Sequence, residues 1–121
     1  MSFDIDDLAA IDRAKEVRIE TQAPDGPVHR TIIWAVVNDD RVFVRSWRGA
    51  TARWYREALA NPAVALHVDG RRIPATAIPA DDPDSIERAS TGLQSKYVGD
   101  PSTPAMVREE ILGTTLRLEP A

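Results

Sequence analysis

The densest chemical signal in this 121-residue chain is Arg45-Ser46-Trp47-Arg48-Gly49-Ala50-Thr51, followed closely by Arg53. Arg48 and Arg53 carry forked donors that match a phosphate with paired hydrogen bonds. Ser46 and Thr51 add hydroxyls, and Gly49-Ala50 lets main chain approach a ligand closely. The segment joins a strand pattern to a helical one, and the free N–H groups of a helix start favour anions. The spacing is neither a P-loop nor a Gly-x-Gly-x-x-Gly turn. Two readings therefore stand: an anion cradle, or an ordinary strand-to-helix loop with solvated arginines. The surroundings strengthen the first somewhat, because five arginines and no acid fall between Arg41 and Arg56 in a chain whose net charge is −4.

Arg30 and Trp34 share one face of a second strand pattern. Arg30 would meet an anion and Trp34 would flank a flat ring; alternatively, Arg30 is a solvated strand end and Trp34 is core. Trp47 and Trp54 read equally as a stacking platform or as packing at a barrel mouth. Other chemistries find less support. His29 and His67 are the only histidines and neither has a carboxylate motif beside it, so satisfied histidines are expected rather than metal ligands. The chain has no cysteine, which excludes disulfides and thiolate sites. No serine sits in a Gly-x-Ser-x-Gly elbow. Asp81, Asp82 and Asp84 suit a helix cap better than a cation site. The negative net charge, with 13 arginines and only two lysines, argues against a nucleic-acid partner. No apolar run approaches a membrane span, and the acidic start lacks the features of a secretory signal. A cytoplasmic protein without a membrane partner is expected.

The elements that must position these residues follow from pattern. Residues 1–12 read as a short helix. Lys15–Gln22 alternates as a half-buried strand, and Pro24-Asp25-Gly26-Pro27 turns the chain. Val28–Asn38 is mostly apolar on both faces and reads as one long central strand. Arg41–Ser46 completes an antiparallel meander. Thr51–Asn61 reads as a helix with the stripe Ala52, Tyr55, Ala58 and Leu59, ended by Pro62. Ala63–Val68 and Arg71–Ile78 form a hairpin about Asp69-Gly70. Asp82 caps a helix with Pro83 at its first position and Ile86, Ala89, Leu93 and Tyr97 along one side. Another short helix lies near Met106, and Leu112–Leu118 reads as a closing strand. One domain over residues 1–121 is expected, mainly β with α insertions, with six strands in a small closed or partly open barrel and residues 81–110 as a helical insert or lid.

This order of segments resembles the split β-barrel flavin- and deazaflavin-binding superfamily of pyridoxamine-phosphate oxidases and deazaflavin-dependent nitroreductases, and within it a small uncharacterised family of similar length. The resemblance rests on Arg30-Thr31 in the second strand, Ser46 at the end of the third, Gly49-Ala50, Arg53-Trp54-Tyr55, and Leu59-Ala60-Asn61-Pro62 leading into the next strand. It implies a six-stranded antiparallel split barrel that dimerises, with cofactor in a groove between subunits. The phosphate contacts it implies fall on Arg30, Thr31, Ser46, Arg48, Gly49, Ala50 and Arg53. The expected cofactor is a factor-420-type deazaflavin or FMN, serving a small-molecule redox substrate. A non-catalytic carrier of a flavin, haem-like or other anionic ligand is the alternative, and a scaffold without a cofactor is the third reading. Tyr97 reads first as a helix-packing residue, with a substrate-side donor as the alternative. Where nitroreductase-like members carry a proline after the threonine of the second strand, this chain has Ile32, Ile33 and the bulky Trp34.

Overall fold

A computed structural model describes residues 2–121. Asp4 starts the first helix, α1 (Ile5–Arg13), by accepting from the main-chain N–H groups of Asp6 and Asp7 at 2.9 and 3.0 Å. Seven strands follow: β1 (Val17–Gln22), β2 (Val28–Ile33), β3 (Ala35–Asn38), β4 (Arg41–Val44), β5 (Ala63–Val68), β6 (Arg71–Pro79) and β7 (Leu116–Pro120). All pairings are antiparallel, in the order β2-β1-β5-β6-β7-β4-β3.

The two strands at opposite ends of that order, β2 and β3, are separated in sequence by Trp34 alone. A single residue spans only a few ångströms, so the sheet must curl until its two edges meet. The expected long strand Val28–Asn38 therefore exists as two strands bent at Trp34, which is why the sheet has seven strands and not six. The result is a split barrel.

Alternation decides which side chains fill it. Val17, Ile19, Val42, Val44, Leu66, Leu116 and Leu118 point inward and are buried together. Each such side chain contributes about 1.5–3 kcal/mol of burial. The second helix, α2 (Arg53–Ala60), closes one end with Trp54, Tyr55 and Ala58. It begins two residues later than its periodicity suggested, because Gly49–Thr51 forms a 3-10 turn. Leu59 is exposed and Trp54 takes its place in the buried stripe.

A second apolar cluster lies outside the barrel, where the third helix, α3 (Pro83–Lys96), covers Val36 and Phe43 with Ala89 and Leu93. Asp82 caps α3 by accepting from the N–H of Ser85 at 3.0 Å. Lys96 fixes its far end, donating to the carbonyls of Ile11 at 2.9 Å and Ala35 at 2.7 Å. A one-turn helix, α4 (Thr103–Met106), follows. The closing strand starts at Leu116, not Leu112, because Glu109–Thr114 is a 3-10 helix. The hydroxyls of Thr114 and Thr115 there donate to the carbonyls of Ile111 and Leu112, each at 2.7 Å. Such local bonds compete with strand pairing.

Candidate functional site

A cleft of about 820 Å³ opens where the bend at Trp34 meets the start of α2. Thr31, Ile33 and Trp34 line it from the bent strand, Trp47, Arg48 and Thr51 from the loop after β4, and Arg53, Trp54 and Arg56 from α2. Arg45 and Met106 also line it, and Glu16 is the one acid in its wall. Arg53 and Arg56 are three apart on a helix, so they share a face. Ala52 is the N-cap of α2 and no side chain caps it, which leaves the dipole's positive end toward the same wall.

The arginines are only weakly neutralised. Among the described residues, neither Arg48 nor Arg56 has a carboxylate within 4.0 Å, and Arg53 Nε lies 3.9 Å from Glu57 Oε1. Thr31 carries a further signal. Its hydroxyl oxygen is buried and has no hydrogen-bond partner among the described residues. Leaving such a group unmatched costs about 1–3 kcal/mol. The cleft therefore offers cationic forks, an unsatisfied hydroxyl and an aromatic wall, a donor set that fits an anionic ligand carrying a flat ring.

Of the residues expected to contact phosphate, Thr31, Arg48 and Arg53 are brought together here. Arg30 is not among the cleft-lining residues. It is exposed on the other face of β2, opposite Glu20, and lines a separate hollow of about 530 Å³ with Arg18, His67 and Arg72. Ser46 is fully buried, and its hydroxyl donates to the Gly49 carbonyl at 2.7 Å. Gly49 is buried with φ +69°, a conformation suited to glycine. Ser46 and Gly49 thus shape the loop from beneath, and the exposed Ala50 does not line the cleft. Thr51 lines it, with its hydroxyl already donating to the Arg48 carbonyl at 3.0 Å.

Tyr97 takes the packing role that its place on the apolar stripe of α3 implied, and not the donor role. Its ring is buried and stacks on Trp34 at 3.8 Å between centroids and 7° between planes, and its hydroxyl donates to the Lys15 carbonyl at 2.7 Å. Burial pushes its phenol well above the ordinary range. With its hydroxyl already engaged by Lys15 and its ring outside the cleft lining, it is a packing residue that backs Trp34. Trp34 therefore has one face covered by Tyr97 while lining the cleft.

Both histidines have carboxylate partners distant in sequence. His29 Nδ1 lies 3.1 Å from Glu57 Oε2, and His67 Nε2 lies 2.7 Å from Glu20 Oε1. Burial pushes the Glu57 carboxyl up, but hydrogen bonds from Thr21 and His29 outweigh it and hold the group below its usual value. Arg56 and Arg45 complete the cleft. The first was legible from its helical spacing to Arg53. The second was legible only as the residue that alternates with Val44, on a face whose cover nothing in the sequence identifies.

Residues 7–118 match the model of a family described as an uncharacterized protein conserved in bacteria, DUF2255. The chain belongs to that family. No curated protein sequence matches this DUF2255 chain. Its fold is similar to that of HutZ, the heme storage protein from Vibrio cholerae, at TM-score 0.72 and 15% identity, covering 100% of this chain and 92% of that one. It is also similar to an F420-H2-dependent reductase, FDR-A, at TM-score 0.66 and 18% identity, covering 89% and 96%. A putative pyridoxamine 5'-phosphate oxidase from Listeria innocua gives TM-score 0.66 and 14% identity, covering 95% and 90%. At these identities the likeness establishes the split-barrel fold of the DUF2255 chain and nothing finer.

Proposed function

We propose that this protein binds a phosphate-bearing flavin or deazaflavin in the cleft at Trp34 and acts as an oxidoreductase on a small molecule, with the groove completed by a second copy of the chain. The observation that carries the reading is the buried, unpartnered Thr31 hydroxyl in the same wall as Arg48 and Arg53. Arg48, Arg53 and the open start of α2 would hold phosphate, Thr31 would donate to it or to the adjoining chain, and Trp34 would flank the ring. A bound flavin or deazaflavin supplies hydride transfer itself, so the protein need only orient it and exclude competing reactions. A haem is less well matched, because among the described residues no histidine lines the cleft and Met106 is its single thioether. The fold's likeness to an F420-H2-dependent reductase supports a redox cofactor.

Titration of the purified protein with FMN and with the deazaflavin coenzyme, followed by fluorescence quenching, tests this. Arg48→Ala should weaken binding about ten-fold, as expected for one charge-assisted hydrogen-bonding partner. Thr31→Val should also weaken it, yet leave the free protein as stable or more stable, since it deletes an unmatched hydroxyl at nearly constant shape. If neither cofactor binds, the proposal falls. If one binds without any oxidation of its reduced form by quinones or nitroaromatics, the protein is a carrier and not an enzyme.

A further inference from the structure

Arg45 is the largest fully buried side chain, at 2% exposure. It leaves β4 on the side covered by α3, where its guanidinium meets only neutral acceptors. Nε donates to the Thr115 hydroxyl at 2.9 Å, one terminal nitrogen donates to the Ser90 hydroxyl at 2.9 Å and the Met106 carbonyl at 3.1 Å, and the other donates to the Ile86 carbonyl at 3.1 Å. Four of the five guanidinium hydrogens are thereby used. Among the described residues no carboxylate pairs with it. A buried cation without a counter-ion is costly and is normally paired. Burial alone pulls the group down to about 10, so it stays charged at neutral pH.

The same side chain lines the cleft, whose wall holds four arginines against the single acid Glu16. A purely bracing role explains the four hydrogen bonds. It does not explain a charge buried without compensation in a wall already rich in cations. We propose that Arg45 is a charge-selecting residue of this cleft, whose uncompensated guanidinium favours the anionic form of an occupant over its neutral counterpart and, through Ile86 and Met106, links that occupancy to the placement of α3 and α4. The inference rests on the anion-binding reading of the cleft. The missing counter-charge is supplied by the ligand, and interactions inside a desolvated wall are screened far less than at the surface.

FMN and riboflavin share one ring and differ by the phosphate, so their affinity ratio isolates the charge. The ratio is measured for the native protein, Arg45→Lys and Arg45→Met by fluorescence quenching, with pyrophosphate as a ring-free probe read by thermal shift. The native protein should prefer FMN. Arg45→Met should cut that preference about ten-fold, and Arg45→Lys should largely keep it even where both affinities fall. An equal loss for both ligands in Arg45→Met would make Arg45 a brace only and overturn the proposal. Hydrogen exchange on the native protein serves if Arg45→Met does not fold. FMN should then slow exchange around Ile86–Ser90 and Thr103–Val107 more than riboflavin does, and equal protection would count against the proposal. If FMN, riboflavin and the deazaflavin coenzyme all fail while pyrophosphate stabilises the native protein but not Arg45→Met, the cofactor reading is rejected and the charge role kept. Failure of pyrophosphate together with FMN, riboflavin and the deazaflavin coenzyme rejects both.

Discussion

Single residues in this fold act through partners far away in the chain, and Glu20 shows it most directly. Its carboxylate receives Arg72 through two hydrogen bonds, at 2.8 and 3.2 Å, and meets His67 at 2.7 Å. Those bonds lower its pKa from 4.5 to about 2, against a smaller opposing effect of burial. A carboxyl depressed in the folded state adds stability that is complete above its unfolded pKa and is lost as pH falls through the folded one. Glu20 should therefore support the β1–β5–β6 region at neutral pH and lose its contribution between pH 4.5 and 2. Because Arg72 is half exposed, solvent screening reduces the effect to on the order of 1 kcal/mol. Urea unfolding of the native protein and Glu20→Gln should differ by that amount at pH 6, with the gap closing toward pH 2. A gap unchanged with pH would mean that the carboxylate's ionisation contributes nothing. The sequence offered His67 without a visible partner, since 47 residues separate it from Glu20. Histidine and acid become neighbours only once β1 pairs with β5.

At the scale of elements, α3 packs closely on β3 through Gly92. A Cβ placed on Gly92 would sit 3.0 Å from Val36 Cγ2 and 3.1 Å from Val36 Cβ. The second contact is nearly main chain and has little room to yield. Gly92→Ala gains about 1 kcal/mol of helix propensity but incurs an overpacking cost of about 1–3 kcal/mol. A net loss near 1 kcal/mol is expected by chemical denaturation. The double variant with Val36→Ala should lose less than the sum of the single losses, because the two changes share one space. Additive losses would show that Gly92 and Val36 do not compete. Most elements were legible in the sequence: the β5–β6 hairpin at Asp69-Gly70, the Asp82–Pro83 start of α3, and the alternation of β1. The bend at Trp34 was not. Ile32–Val37 is apolar on both faces, and local periodicity carries no mark of where a strand leaves one sheet edge to join the other. The 3-10 helix before β7 was hidden for a related reason, since Leu-Gly-Thr-Thr-Leu alternates like a strand while its threonines bond locally. At the site, Thr31, Arg48 and Arg53 were readable from residue type and order. Arg45 and the facing of Arg30 depended on which side of the curled sheet each residue took.

For the whole molecule, the shape of the cleft bears on assembly. Ile32 and Glu16 border both the cleft at Trp34 and the hollow that holds Arg18 and Arg30. Ile32 is therefore a ridge between two basic depressions, 55% exposed, with Val28 at 50% farther along the same face of β2 and Trp47 at 54% across the cleft. Apolar side chains concentrated on the rim of a charged groove mark a surface that gains by being covered. A second copy seated on β2 would cover them and wall the cleft on its open side, which is the dimeric groove proposed above. Light scattering should then give a mass of about 27 kDa, twice the 13.3 kDa chain. Ile32→Glu should return the protein to a folded monomer and weaken cofactor binding together. Val98→Glu, at an apolar position 81% exposed and outside both depressions, should change neither. A native monomer that binds cofactor with full affinity would remove the partner from the site. Loss of affinity in Ile32→Glu with the dimer intact would make Ile32 a wall of the cleft alone. If both properties fall together while Val98→Glu leaves them unchanged, the groove is shared, and the arginines of one chain act on a ligand that two chains enclose.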